Sequence, residues 1–188
     1  LESLRPDPSL GDGGECEDPE DKQPDDPDIA RIMAEKAEDN PAYETICELC
    51  TMEHSLYCWN HFRVAVDTKT GEPIGSLLAY DGKRYARARD LAFSYAAEKT
   101  GTDLGDSDME TCKGEYYLDS MAILPQYRGH KIGHALIQDA IEQGKQLNHC
   151  RFTLIAEKEA ESLKAYYSAL GFIPEEEIIF FGHPYIRM

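Results

Sequence analysis

One segment in the middle of the chain constrains the fold more than any other. The sequence from Tyr116 to Leu124 is strongly strand-like, and Pro125 ends it because proline cannot continue a ladder of hydrogen bonds. A helix is predicted to begin near Ile132, since apolar residues recur there at helical spacing. The residues that share this buried face are Ile132, Leu136, Ala140 and Ile141. A buried strand, a turn and an amphipathic helix therefore follow one another, and the rest of the fold must pack around them.

The turn between this strand and this helix has the composition of an anion site. Backbone N–H groups at a helix N-terminus lack intrahelical partners, and the helix dipole favours negative charge there. Gly129 and Gly133 permit close approach of a ligand to the backbone. Arg128, His130 and Lys131 add positive charge in an otherwise acidic chain. The pattern predicts a pyrophosphate site, and an ordinary strand–turn–helix with a basic turn is the alternative.

The remaining elements follow from hydrophobic periodicity and turn residues. Before the central segment, the sequence predicts a short strand at 1–6, a loop at 8–27, a helix from Asp28 that ends at Asn40-Pro41, a helix from about Ala42 to Tyr57, a hairpin of Phe62–Val66 and Ile74–Tyr80, a helix at 84–99 and a loop at 100–114. After it, the sequence predicts a strand at 152–156, a helix at 163–170 that ends at Gly171, and closing strands at 178–181 and 185–188. This order predicts an α+β or mixed α/β layout with helices packed on one sheet.

Charge narrows the range of functions. The net charge is −17, and residues 1–28 carry eleven acidic side chains against two basic ones, which is typical of a solvated acidic loop. Such a field repels nucleic acid and favours a cationic substrate. No apolar stretch is long enough to span a membrane, and no signal peptide opens the sequence. The six cysteines are too sparse for a disulfide scaffold, so we expect reduced thiols and a cytoplasmic protein.

Cys47, Cys50, His54 and Cys58 have a spacing that suggests either zinc ligands or one face of a helix. Ligands strung along a straight helix rise too far to converge on one ion. We therefore expect a buried helical stripe and no metal.

Two motifs resemble the GNAT acetyltransferase family. Ile123–Gly129 matches the family's lead-in of a hydrophobic residue, a proline and Arg-Gly, and Arg128 and Gly133 fill the first and last positions of its acetyl-CoA signature. Lys131 stands where the middle glycine is usual. Downstream, Tyr166–Phe172 matches the family's tyrosine and Gly-Phe pattern, although the asparagine expected before it is Ala160.

The resemblance spans roughly residues 62–188 and implies a fold and a domain organisation. The implied fold is an α/β fold of the α+β type, with a central, mixed, mostly antiparallel sheet of six to seven strands flanked by helices. Residues 1–188 would form a single domain, with an acidic insertion at 8–27 and a second insertion at 84–114 between sheet strands. In the family the second region builds acceptor specificity, so it could cap the substrate site. His183 and Tyr185 could line the same pocket.

The resemblance also implies that acetyl-CoA is the cosubstrate. The strand before the signature would diverge from its neighbour and hold the pantetheine arm, while the turn would hold the pyrophosphate, with Lys131 in helical dihedrals. The residues expected to bind acetyl-CoA are Met121, Ala122, Ile123, Arg128, Gly129, His130, Lys131, Ile132, Gly133 and His134.

For catalysis the resemblance implies direct attack of a neutral amine on the thioester. The N–H of Ile123 would stabilise the oxyanion, and Tyr167 would protonate the leaving thiolate. Alternation along the strand places Glu115, Tyr117, Asp119 and Met121 on one face. Asp119 is the first candidate for the base and Glu115 the second, and an acid that only orders water or pairs with a basic neighbour is the alternative for either.

The expected activity is transfer of acetyl to a primary amine of a small molecule or a peptide, with a homodimer left open. The alternative is a catalytically silent module of the same fold that only binds acyl-CoA. The sequence names neither the acceptor nor the role of the acidic segment.

Overall fold

The computed structural model describes residues 41–101 and 108–188. The predicted strand at 1–6, the acidic loop at 8–27 and the helix from Asp28 lie outside the described residues. The helices are α1 (Pro41–Thr51), α2 (Tyr85–Thr100), α3 (Ile132–Gln146) and α4 (Glu161–Ala169). The strands are β1 (Phe62–Val66), β2 (Pro73–Asp81), β3 (Tyr116–Ile123), β4 (Phe152–Thr153), β5 (Ile155–Glu157), β6 (Glu176–Phe180) and β7 (His183–Arg187).

The predicted hairpin is the first part of the sheet. β1 pairs antiparallel with β2, and Gly71 in the connecting turn has a positive φ of 76°. The Asp67 carboxylate accepts a hydrogen bond of 2.7 Å from the N–H of Lys69, which closes the turn. β3 then pairs antiparallel with β2 and parallel with β4, giving the order β1-β2-β3-β4.

The mixed α/β fold class is confirmed, but the seven described strands form two sheets. The second sheet has the antiparallel order β5-β7-β6. The predicted strand at 152–156 divides at Leu154, whose backbone exchanges hydrogen bonds with Met188. The chain therefore leaves β3 at this residue and continues on β7.

Two apolar clusters lie on opposite faces of the first sheet. One contains Leu77 and Leu118 and packs against α3 and α4. The other contains Leu78 and Tyr117 and packs against the start of α2 and the segment after α1. Gly144 lets α3 lie directly on the sheet, because a Cβ there would come within 2.5 Å of the Phe152 ring.

The predicted helix from Ala42 to Tyr57 is wrong at its end. α1 stops at Thr51, and the chain then turns, with His54 in a left-handed conformation (φ 74°). Leu56 and Cys58 are buried beyond this turn. A straight continuation of the helix would carry these two side chains away from the sheet they pack on. The predicted stripe therefore does not form one helical face.

Candidate active site

The site is built on a divergence between two strands. β3 and β4 are paired only at Tyr116 and Tyr117, opposite Phe152 and Thr153. Beyond this point β5 pairs with β7, so none of the described strands pairs with the later part of β3 on that side. An opening between β3 and β5 results, as the resemblance implied.

The open edge of β3 exposes backbone groups of its last residues. The N–H of Leu124 donates to the carbonyl of Ile74 at 2.9 Å, toward β2. Because N–H groups alternate in direction along a strand, those of Met121 and Ile123 point away from β2. The carbonyl of Ile123 accepts a 3.2 Å hydrogen bond from Nε of Arg128, which agrees with this direction.

A β-bulge changes the faces of β3 beside the opening. Leu118 pairs with Ala79 and Met121 pairs with Leu77, so Asp119 and Ser120 together oppose the single residue Leu78. Met121 therefore packs on the cluster that contains Leu118 rather than on the face of Tyr117. The prediction that Met121 shares a face with Tyr117 and Asp119 is wrong, because strict alternation does not anticipate a bulge.

The predicted anion site lies at the N-terminus of α3. The first hydrogen bond onto this helix runs from Ala135 N–H to the Lys131 carbonyl. Among the described hydrogen bonds, none is donated by the backbone N–H groups of residues 129–134. These donors form a concave group of the kind that binds a pyrophosphate.

Lys131 does not have the right-handed helical dihedrals that the sequence suggested. Its φ of 58° and ψ of 21° are left-handed, and Gly129 also has a positive φ, of 79°. The usual residue in such a conformation is glycine. Lys131 therefore holds a left-handed conformation at a conformational cost.

Two side chains of the turn make hydrogen bonds that hold it in place. The Nδ1–H of His130 donates to the carbonyl of Arg128 at 2.9 Å, and the Tyr127 hydroxyl donates to Asp67 at 3.2 Å. Lys131 is exposed. The turn is thus fixed to β3 and to the β1–β2 loop.

Tyr167 is placed by the Gly-Phe motif that follows it. Gly171 has a φ of 96°, which ends α4 and lets the N–H of Phe172 return to the carbonyl of Tyr167 at 3.1 Å. The rings of Tyr167 and Phe172 meet edge to face at 6.1 Å between centroids. The half-buried Tyr167 side chain lines the opening between the strands.

The opening contains a cavity of about 150 Å³, which we call the splay cavity. It is defined by Asp119, Met121, Ile155, Glu157 and Tyr167. A volume of this order holds a group about the size of a benzene ring. Only the reacting ends of two larger substrates would fit inside it.

Aromatic and acidic side chains dominate the rest of the lining. The aromatic ones are Tyr57, Phe93, Tyr117, Phe180, Phe181 and Tyr185. The acidic ones are Glu110, Asp119 and Glu157, and the described lining includes no Lys, Arg or His. Tyr185 therefore lines the cavity, as predicted. The predicted capping region reaches the cavity through Phe93 and Glu110. The exposed His183 is not among the described lining residues.

Asp119, the first candidate for the base, is fixed by two hydroxyl donors. Tyr80 donates to it at 2.6 Å and Ser120 at 2.7 Å. Burial and the nearby charge of Asp119 raise the pKa of Tyr80 well above its ordinary value, so Tyr80 stays protonated. Asp119 and Tyr167 both line the splay cavity.

Glu115, the second candidate, lies in an ion-pair network away from the splay cavity. Its carboxylate accepts hydrogen bonds from Arg151 and Arg187, from the hydroxyl of Thr111 and from the N–H of Cys112. Burial raises the pKa of Glu115, but the hydrogen bonds from Thr111 and Arg151 outweigh it, and the net pKa is lowered. This carboxylate is occupied by structural partners, so we do not retain it as a base.

Glu110 was missed by the sequence analysis. It lies in a polar stretch that was predicted only as a loop, and nothing in its neighbours separates it from the other acids of this chain. Folding buries it to 6% exposure against Tyr85 and Tyr117 and places it on the cavity wall. The one available hint was the position of the insertion between two sheet strands.

The described part of the chain contains no group of three His, Cys, Asp or Glu side chains placed to hold a metal ion. In residues 41–101 and 108–188, no helix has both the length and the apolar character needed to cross a membrane.

The diverging strands, the N–H groups at the strand–helix turn and the tyrosine beyond them form one candidate site. The model of the GNAT acetyltransferase family matches residues 29–172, and the chain belongs to this family. It is an acetyltransferase, and the resemblance seen in its two motifs is confirmed.

Solved structures share this fold. An N-acetyltransferase from Staphylococcus aureus Mu50 is 20% identical, with a TM-score of 0.64 and 77% of each chain covered. Another acetyltransferase is 21% identical, with a TM-score of 0.63 and the same coverage. No curated protein sequence matches the chain significantly.

Proposed function

We propose that this protein transfers the acetyl group of acetyl-CoA to a primary amine by direct attack in the splay cavity. The observation that carries the proposal is the path along β3. It runs from the unpaired N–H groups at the start of α3, past the outward N–H groups of Ile123 and Met121, to Asp119 and Tyr167.

The residues of the turn fit the pyrophosphate of acetyl-CoA. The N–H groups of residues 129–134 would donate to it, and Arg128, His130 and Lys131 would offset its charge. The open backbone edge at Met121, Ala122 and Ile123 would hold the pantetheine arm as a strand partner would. When bound there, acetyl-CoA supplies the thioester at the cavity.

Three groups have the chemistry that acetyl transfer needs. The N–H of Ile123 would stabilise negative charge on the thioester oxygen. The Tyr167 hydroxyl would give its proton to the departing thiolate. Asp119 would attract and orient the acceptor amine as a cation.

The acceptor class follows from the charge of the cavity. Three carboxylates line it, and its described lining contains no basic side chain. An ammonium group entering this space gains favourable electrostatics, whereas an anionic acceptor would be repelled. The aromatic walls suit an amine whose body is partly apolar. A primary amine on a small molecule or a peptide therefore fits best.

The test has two stages on the full chain. A thermal-shift experiment with acetyl-CoA measures binding, and release of CoA thiol is then measured with a panel of small amines and amine-bearing peptides. We expect stabilisation by acetyl-CoA and thiol release that depends on one class of amine. Tyr167→Phe should reduce kcat by about 100-fold.

Tyr166→Phe is the matched control. Tyr166 is the neighbouring half-buried tyrosine of α4, and it packs on the same core but does not line the splay cavity. Full activity of Tyr167→Phe would remove the acid assignment. Stabilisation by acetyl-CoA without transfer to any amine would instead favour the silent binding module.

A further inference from the structure

Glu110 is a buried acid that the mechanism above does not use. Its side chain lines the splay cavity, and two hydroxyls donate to it. Tyr85 of α2 donates to Oε1, and Tyr117 of β3 donates to Oε2 at 2.7 Å. A carboxylate has about four acceptor sites, so two hydrogen bonds leave Glu110 able to accept a proton from the cavity.

The backbone around Glu110 is anchored on both sides. Asp108 bonds to β6 twice, through its N–H to the Ile179 carbonyl at 2.9 Å and through its carboxylate to the Ile179 N–H at 2.7 Å. On the other side, the carbonyl of Cys112 lies so close to Gly82 that a Cβ there would approach it to 2.3 Å. Glu110 is therefore held at the cavity by packing on two sheets.

A second carboxylate, Asp119, lies on the same cavity wall. The charged groups that act on Glu110 are Asp119 of β3 and Arg89 of α2, and the tyrosine hydroxyls around the two acids are Tyr80, Tyr85 and Tyr117. Burial, followed by the charge of Asp119, raises the pKa of Glu110 to about 7, although Tyr85, Tyr117 and Arg89 oppose the shift.

We propose that Glu110 is the catalytic base, which takes the proton from the acceptor ammonium before attack, with Asp119 as its charged partner. This inference rests on the proposed function, because it assigns a residue to that reaction. The two carboxylates face one cavity but have different surroundings, which is how paired acids acquire separate roles. Asp119 binds the cation, and Glu110 exchanges the proton.

The acceptor ammonium first gives one proton to the Glu110 carboxylate, which becomes a carboxylic acid. The neutral amine nitrogen then forms a bond to the thioester carbon. As the carbon–sulfur bond breaks, the Tyr167 hydroxyl protonates the thiolate, and the Tyr167 oxygen takes the second proton of the nitrogen. Glu110 then releases its proton to solvent.

The test compares the pH dependence of kcat/KM for the acceptor in three proteins. In the wild type, kcat/KM should rise with pH through about 7 and then level, because the base must be ionised. Glu110→Gln should lose this rise and about 100-fold or more of kcat/KM. Asp119→Asn should keep the rise but move it to lower pH, since removal of the neighbouring charge lowers the pKa of Glu110.

The opposite pattern would overturn the inference. If Asp119 were the base, Asp119→Asn would abolish the rise of kcat/KM with pH, and Glu110→Gln would move that rise to lower pH. Glu98→Gln, an exposed change on α2, is the control and should keep the wild-type profile. Thermal stabilisation by acetyl-CoA checks that each variant is folded and binds the donor.

A titration of the Glu110 carboxyl carbon by NMR tests the same assignment without turnover, and a pKa near 4.5 would count against it. An inactive wild type with every amine would defeat the proposed function. An active wild type with an unchanged profile in Glu110→Gln would defeat only the base assignment.

Discussion

The hydroxyl of Tyr117 donates a hydrogen bond of 2.7 Å to Oε2 of Glu110, linking the start of β3 to the segment that follows α2. Burial and the charge of Glu110 raise the pKa of Tyr117 well above its ordinary value, so the phenol remains a donor. This contact stabilises the ionised form of Glu110 and opposes the effect of burial.

Tyr117→Phe should therefore raise the pKa of Glu110 further. The rise of kcat/KM with pH should move to higher pH, and activity at pH 7 should fall more than activity at pH 9. Tyr116→Phe is the control, because the Tyr116 hydroxyl bonds to Gln143 on the other face of the sheet. Equal profiles for the two variants would contradict the role of the Tyr117 contact.

Glu110 should also make stability depend on pH. Its pKa in the folded protein is about 7, above its ordinary value of 4.5, so the folded state retains a proton that the unfolded state releases between these values. This contribution to stability is therefore present at low pH, is lost as pH rises from about 4.5 to about 7, and stays lost above that.

Chemical denaturation of the wild type and Glu110→Gln at several pH values measures this effect. Glu110→Gln has no carboxyl group to ionise at this position. Its free energy of unfolding should therefore increase relative to that of the wild type as the pH rises from 4.5 to 8. The expected change is up to roughly 3 kcal/mol. A constant difference across this range would show that Glu110 titrates normally.

Glu115 should contribute to stability rather than to the chemistry. Glu115→Gln leaves the half-buried Arg187 with Glu176 as its one acidic partner among the described residues, and it removes the charge of a buried carboxylate, so we expect a loss of about 3 kcal/mol. Glu176→Gln breaks the exposed side of the same network and should cost less than about 1 kcal/mol. Because the pKa of Glu115 is lowered in the folded protein, its contribution should be present at neutral pH and be lost as the pH falls below the ordinary value of 4.5.

Loss of transfer activity in Glu115→Gln without loss of stability would restore Glu115 as a candidate for the chemistry. Denaturation curves and thiol release on the same preparations distinguish the two results.

Lys131 should be replaceable by glycine with a gain in stability. Its φ of 58° costs a residue with a side chain about 1 kcal/mol, which Lys131→Gly should recover. Lys131→Ala removes the same charge but keeps a side chain in the left-handed conformation. Comparison of the two variants therefore separates the effect of backbone strain from the effect of charge. Both variants should weaken acetyl-CoA binding equally, as measured by titration calorimetry, if charge alone is responsible. Equal stability of the two variants would show that the backbone relaxes around the lysine.

Much of the local structure at the proposed cosubstrate site was predictable because its determinants are local. Pro125, the glycines and the amphipathic pattern from Ile132 encode a strand, a turn and a helix in consecutive residues, and unpaired N–H groups follow from any helix start. Gly171 and Phe172 likewise position Tyr167 through a local hydrogen bond. The resemblance to the family was seen in the sequence through these same short segments.

The acids of the cavity were not predictable in the same way. Asp119, Glu110 and Glu115 look alike in the sequence, and only their neighbours in space separate them. Asp119 lies at a bulge, Glu110 lies between two tyrosines from different elements, and Glu115 lies under two guanidinium groups.

The sequence by itself determined the strand, turn and helix after Ile123, and with them the proposed site for an anionic ligand, because its hydrogen-bonding groups come from neighbouring residues. Only the tertiary structure decided which carboxylate has the surroundings of the proposed base. Burial and the approach of a second charge set the pKa of Glu110, and both arise from residues that are distant in the chain.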